Sequence, residues 1–311
     1  MKTIVPSTRR GYVYVILAAL FWAVSGSSAK YLFNSGISPF QLVQIRLTIA
    51  ATTLCLWLLV RDRSLLKIDT SDVLYFILFG IFGIAAVQFT YLFAISRIHV
   101  AAAILLQYLA PSFIAIHAVL FFKDRLNRWT TLALIGSFTG CYLVVGAYNL
   151  NIVSMNMAGI ISGVLSGVTF AWYSIHGEYG MRRYDPWTVI FYGLLFAALL
   201  WNILHPPLEG FFHAYRPAQW GWIVYIGIMG TLVPFGFYLE GVNLIRSTRA
   251  SITATLEPIT AGLLSYLFLN EVMAPLQILG AVLVIASIIL LQLKQEFDLK
   301  APALIRAKRE I

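Results

Sequence analysis

Hydrophobic positions in this chain do not alternate with polar ones. They run on. Apolar stretches fall at about 12–33, 39–60, 73–95, 99–121, 129–147, 157–177, 187–205, 219–243, 249–269 and 273–293. Each approaches the roughly 20 residues that an α-helix needs to cross a bilayer. A β-barrel would read instead as short alternating segments. The pattern predicts an all-α membrane protein of ten transmembrane helices. Ser38-Pro39 and Asp185-Pro186 each offer an N-cap followed by proline at the first helical position.

Composition agrees. Hydrophobic residues make up 60% of the 311 positions and charged residues 11%, with a mean hydropathy of +0.82. Soluble chains carry about 45–50% apolar and about 25% charged residues. Little chain remains for a soluble domain. Cys55 and Cys141 both sit in apolar runs and read as buried thiols rather than a disulfide framework.

The net charge of +9 does not point to nucleic acid, because the basic residues are sorted by loop. With the N-terminus placed inside, eighteen of the 22 Lys and Arg residues fall on that side. Lys30, Arg97 and Arg216 fall outside, and Arg46 lies within a span. This is a strong positive-inside bias. It places both termini in the cytoplasm of a bacterial-type plasma membrane and requires an even number of spans. Lys2, Arg9 and Arg10 before the first apolar run imitate a signal peptide. The internal repeat, however, needs that segment as its first span.

The repeat emerges when the chain is shifted by 147 residues. Pro39 then meets Pro186, Gly80 and Gly83 meet Gly227 and Gly230, and Tyr91-Leu92 meets Tyr238-Leu239. Leu109 and Pro111 meet Leu256 and Pro258, and Asp124 meets Glu271. A shift of 150 pairs Trp22 with Trp172 in the first spans. The units are residues 12–147 and 157–293, five spans each, followed by a basic tail, 294–311. An odd number of spans per unit makes the second repeat inverted. Inverted repeats are a common construction of secondary transporters, with the site near the midplane between the halves.

These features resemble the EamA branch of the drug/metabolite transporter superfamily. Two five-helix halves, Phe21-Trp22 with Ala171-Trp172, and Leu109-Ala110-Pro111 with Leu256-Glu257-Pro258 carry the resemblance, over about residues 12–293. It implies ten helices, cytoplasmic termini, and export of amino acids or small metabolites.

Glu257 is the sharpest site candidate. It lies about 12 Å into the ninth span at 1.5 Å per residue, where an ionisable side chain is costly and marks function. It is a candidate for substrate contact and proton coupling. Thr253, Glu257 and Thr260 fall on one helical stripe. Pro258 removes the N–H that the Ala254 carbonyl would accept, and Pro111 does the same for Gln107. Paired helix breaks at Pro111 and Pro258 point to a transporter site. Gln107 and Tyr108 are therefore candidate contacts, the alternative being helix–helix hydrogen bonding. Trp22 and Trp172, with Ser25 one turn from Trp22, are expected to wall the cavity. Tyr91 and Tyr238, with Gln88 one turn before Tyr91, are expected as a gate or binding layer. Arg46 is expected to snorkel or pair with loop carbonyls at the outer surface, from a peripheral second helix, with a functional role as the lesser alternative. Glu178, Glu240, His117 and His176 are expected near cytoplasmic ends, solvated or paired with Arg182, Arg246 or Arg249.

No metal-ligand spacing, phosphate loop or dinucleotide fingerprint occurs, so neither cofactor nor metal is expected. The partners are a small-molecule substrate and the lipid bilayer. Rival readings are an uncoupled facilitator, an uptake permease and, from another class, a membrane-embedded enzyme or sensor. The tail could lie on anionic lipid or hang free. Direction and oligomeric state are open; Gly159 to Gly163 forms a small-residue stripe expected to pack within one chain.

Overall fold

A computed structural model of the protein describes residues 8–121, 127–150, 155–269, 274–293 and 300–309. Its described helices are α1 (Thr8–Asn34), α2 (Pro39–Arg61), α3 (Val73–Leu78), α4 (Ala86–Arg97), α5 (Val100–Gln107), α6 (Ala110–Leu120) and α7 (Arg128–Val144). They continue with α8 (Met157–Gly180), α9 (Pro186–Leu204), α10 (Pro217–Gly227), α11 (Val233–Ala254), α12 (Leu256–Leu269), α13 (Pro275–Leu293) and α14 (Pro302–Arg309). No strand occurs among the described residues. Asp124, Glu271 and tail residues 294–299 lie outside them.

Helix starts follow local chemistry. Ser38 Oγ accepts from the Gln41 backbone N–H at 3.2 Å, and Gln41 Oε1 accepts from the Ser38 N–H at 3.1 Å. Asp185 accepts from the Trp187 N–H at 2.9 Å, with Pro186 at the first helical position.

Among the described residues, eight continuous helical stretches are long and apolar enough to cross a membrane. α7, at 17 residues, and α12, at 14, fall short on length alone. One stretch, Pro217–Ala254, runs 38 residues, about 57 Å if straight and roughly twice the hydrocarbon thickness. It is broken at Arg246, whose φ of 66° and ψ of 164° are not helical.

The other irregularities come in pairs. A π-helical segment, Phe79–Ala85, joins α3 to α4, and another, Ile228–Leu232, joins α10 to α11. Tyr108 and Leu109 interrupt the path from α5 to α6, and Thr255 interrupts the path from α11 to α12. Contacts pair in the same way: α1 packs along α11 and α4 along α8, while α2 packs on α9 and α7 on α13. The α7–α13 pair is peripheral, with Leu279, Val282 and Ile285 turned outward as a lipid-facing surface would be. The small-residue stripe packs inside the chain: Ser162 Oγ donates to the Thr90 carbonyl at 2.7 Å. α14 contacts α11, and Arg306 donates to the carbonyls of Met181 and Tyr184. The described tail is thus docked on the protein.

Candidate functional site

The pseudo-paired helices enclose a cavity of about 30 Å³, room for about two water molecules. Trp22 and Ser25 from α1, Gln88 and Tyr91 from α4, Gln107 and Tyr108 at the α5–α6 break and Glu257 from α12 line it. Arg46, Val87, Phe170 and Phe235 complete the wall. A space this small does not hold a metabolite. Admitting a metabolite requires the surrounding helices to move.

The aromatic wall is built around Trp22. Its ring meets Phe235 edge-on at 5.1 Å and Phe170 at 5.8 Å, contacts worth roughly 0.5–1.5 kcal/mol each beyond burial. Helix backbones approach closely here because two glycines permit it. A Cβ on Gly230 would stand 2.5 Å from Ser25 Oγ. One on Gly167 would stand 2.9 Å from the Leu106 carbonyl oxygen, where Pro111 opens the fourth span.

The polar chemistry follows from three prolines. Pro258 cannot donate to the Ala254 carbonyl; the Tyr108 hydroxyl donates to it instead, at 2.6 Å. The same hydroxyl lies 2.9 Å from Glu257 Oε2. Tyr108 therefore ties the break of the first half to the break of the second. The third proline is Pro234. In a regular helix the Gly230 carbonyl would accept from residue 234, which has no N–H. Arg46 Nη2 donates to that carbonyl at 2.9 Å, and Arg46 Nε donates to Thr231 Oγ1 at 2.8 Å.

Several polar atoms of the wall remain unused. Trp22 Nε1 and Gln88 Nε2 are buried without a hydrogen-bond partner. The Tyr91 hydroxyl lies beside the Glu257 carboxyl without reaching hydrogen-bond geometry. Buried polar groups are almost always satisfied, so unused ones converging on one cavity are the mark of a binding site.

Two predicted residues lie elsewhere. Tyr238 is fully buried one layer behind Trp22, its ring 5.6 Å from the indole and its hydroxyl 2.8 Å from Ser174 Oγ. Trp172 is 37% exposed and stacks on His176 at 3.5 Å. Phe170, two residues earlier, faces the cavity in its place. Two residues rotate a helical position by about 200°, so pairing Trp22 with Trp172 chose the wrong face of α8. Thr253 and Thr260 do not extend a stripe from Glu257. Each hydroxyl bonds a carbonyl one turn back in its own helix, at 2.8 and 3.1 Å, and Thr255 breaks the register between them.

Arg46 is also corrected. It is 2% exposed inside the bundle, not snorkelling at a surface. A signal in the sequence is Pro234, which has no N–H to offer the Gly230 carbonyl one turn back in a regular helix.

Polar contacts tie helices together at each end of the bundle. On the Lys/Arg-rich face, Glu178 of α8 is 2% exposed. Its Oε1 accepts from Arg246 Nε at 2.9 Å, and its Oε2 accepts from the Ser247 N–H at 2.8 Å and Oγ at 2.6 Å. The carboxylate grips the one helix break where a non-glycine residue adopts positive φ, a conformation costing about 1–3 kcal/mol. At the opposite end, Lys30 Nζ donates to the Ile95 carbonyl at 2.7 Å and links α1 to α4. Among the described residues no group of His, Cys, Asp or Glu side chains could hold a metal ion.

A multi-spanning helical bundle around a small, largely apolar cavity with a few unsatisfied polar groups has the form of a membrane transporter. The chain belongs to the EamA-like transporter family, whose profile matches residues 9–146 and 157–293. It is similar to the "Uncharacterized inner membrane transporter YicL" of Salmonella typhimurium, 29% identical over 290 residues, covering 92% of this chain and 96% of that one. It is also similar to the "Pseudopaline exporter CntI" of Pseudomonas aeruginosa, 24% identical over 288 residues, covering 91% and 96%. A solved crystal structure superposes with a TM-score of 0.73 at 20% identity, covering 92% of this chain and 98% of that one. That likeness bears on the fold alone.

Proposed function

We propose that the chain is a ten-helix, inverted-repeat secondary transporter that exports a small metabolite, an amino acid or related amphiphile, by alternating access. The observation that carries this reading is the central cavity with its unsatisfied Trp22 and Gln88 donors, lying between two proline-marked helix breaks. The pseudopaline exporter among its relatives supports export as the direction.

Ten spans follow if α7 is counted as a short span and the chain beyond the Arg246 break is joined to α12 as the ninth. The paired contacts, paired π segments and paired breaks support two halves. Five spans in each would invert one half against the other. The basic-residue bias supports cytoplasmic termini and makes the Glu178–Arg246 face the cytoplasmic one.

Trp22, Ser25, Gln88, Tyr91, Gln107, Tyr108 and Glu257 are the proposed substrate contacts, with Tyr238 backing Trp22. Glu257 is the proposed coupling group. Tyr108 has one hydroxyl proton, and the shorter contact commits it to the Ala254 carbonyl. Its contact with Glu257 then needs a proton from the carboxyl, so this geometry suits the protonated form. Substrate exchange and proton release at Glu257 would alternate.

The test compares intracellular and external metabolite pools in cells with and without the protein at two external pH values. One compound accumulating outside, dependent on the protein, is the expected result. A compound that rises inside instead would overturn the export direction.

A further inference from the structure

We propose that Arg46, with Gln88 and Trp22, forms a carboxylate-binding subsite, so that the transported molecule presents a carboxylate toward α2. This rests on the cavity being the transport site.

The unused polar capacity of the wall is mostly donating. The Trp22 indole can only donate, and the Gln88 Nε2 amide nitrogen is likewise a donor; both are buried and without partners. Arg46 has five N–H donors and uses two of them, on Thr231 Oγ1 and the Gly230 carbonyl. Arg46 is among the residues that line the cavity, and its remaining N–H groups have no acceptor among the described residues. Among the described residues no carboxylate forms an ion pair with Arg46. Glu257 shares the cavity, but its hydrogen bond is to Tyr108.

A buried guanidinium without a counter-charge is costly. Its planar fork matches a carboxylate in two parallel hydrogen bonds. It is also held in place before any ligand arrives. The Thr231 hydroxyl that receives Arg46 Nε donates onward to the Ile226 carbonyl at 2.7 Å, and the Gly230 carbonyl accepts from Arg46 Nη2 at 2.9 Å. Preorganisation of this kind lowers the ordering cost of binding. An incoming carboxylate would supply the missing charge and the missing acceptors together. The only carboxyl in the wall, Glu257, is left for the opposite end of the molecule, which favours an α-amino-acid-like zwitterion over a simple anion.

The test is ligand binding to the purified full-length protein, read as stabilisation against thermal unfolding. The probes are the twenty common amino acids, each with its decarboxylated amine and its amide. At least one amino acid should stabilise, with its amine and amide binding about 10- to 100-fold more weakly, as loss of hydrogen bonds to a charged group implies. Arg46→Gln should weaken that amino acid by the same factor, and Arg46→Lys by less. Arg46 also supports the π-helical segment Ile228–Leu232, so its variants could lose stability. Gln88→Leu guards against this: the unbonded Gln88 amide supports nothing, so this variant should weaken binding without lowering the melting temperature of the free protein.

An amine that binds as tightly as its amino acid, unchanged affinity in Arg46→Gln, or no binding across the panel would overturn the subsite. Cells exporting a carboxylate-free compound would leave the transporter reading standing and remove this one. An amino acid that binds through Arg46 while no pool moves would do the reverse.

Discussion

Replacing Glu257 with glutamine is expected to uncouple transport while leaving the route open. Glutamine keeps the shape and a donor for the Tyr108 hydroxyl, so it stands in for the protonated acid. Exchange of substrate down its own gradient should persist. Accumulation driven by a proton gradient should disappear, and the pH dependence of transport should flatten. Glu257→Ala should do more. It removes a residue that is 4% exposed, empties the carboxyl side of the cavity and leaves Tyr108 with the Ala254 carbonyl alone. Losing such buried hydrogen bonding costs about 1–3 kcal/mol, and a loss at the upper end lowers transport by about 100-fold. Both variants should be measured in reconstituted vesicles at matched protein amounts. A Glu257→Gln protein with wild-type pH dependence would exclude Glu257 as the coupling group.

The second large effect is expected at the Lys/Arg-rich end. Glu178→Ala removes a carboxylate that pairs with the Arg246 guanidinium at 2.9 Å, the Arg246 side chain being 13% exposed. It also strips the Ser247 N–H and hydroxyl of their acceptor. Breaking a buried pair by removing one partner costs about 3–5 kcal/mol. Arg246 meanwhile keeps a backbone conformation that disfavours any non-glycine residue. The closed end should therefore open. A cysteine introduced at Ser251, fully buried between this cluster and Glu257, reports that opening by its rate of alkylation once Cys55 and Cys141 are replaced. An expected rise of about 100-fold corresponds to roughly 3 kcal/mol. Arg246→Gly in the wild-type background separates strain from charge, because glycine accepts the positive φ while the ion pair is lost. Unaltered labelling in Glu178→Ala would show that the cluster does not hold this end shut.

Much of this site was readable from residue order, and the errors have local causes. Helices, caps and the two breaks follow from long apolar runs and from prolines whose effect is confined to the preceding turn. The Tyr108–Glu257 contact was half legible: Pro258 announced an orphaned carbonyl, but which helix would supply the donor depends on packing. Arg46 was misplaced because a single chain of apolar residues does not reveal that α2 turns one face inward. Pro234 carried the missing clue, since it has no N–H to offer the Gly230 carbonyl one turn back in a regular helix. Trp172 shows how sharp the angular requirement is. A shift of 148, one residue from the register of the later spans, would have paired Trp22 with Phe170, which does line the cavity. Extending the shift to 150 matched residue type and lost the face. For Glu178 the residue order left solvation and a basic partner both open; the structure buries it and pairs it with Arg246, at the break that folds over it.

The most direct test of alternating access through this cavity is two-sided labelling of Ser25→Cys in a protein lacking Cys55 and Cys141. Ser25 is 6% exposed and lines the cavity beside Gly230. A membrane-impermeant thiol reagent is applied to sealed vesicles of either orientation, and transport is followed in parallel. Alternating access predicts reaction from both faces and loss of transport once the thiol is modified. Reaction from one face only, or continued transport through a fully modified protein, would contradict it.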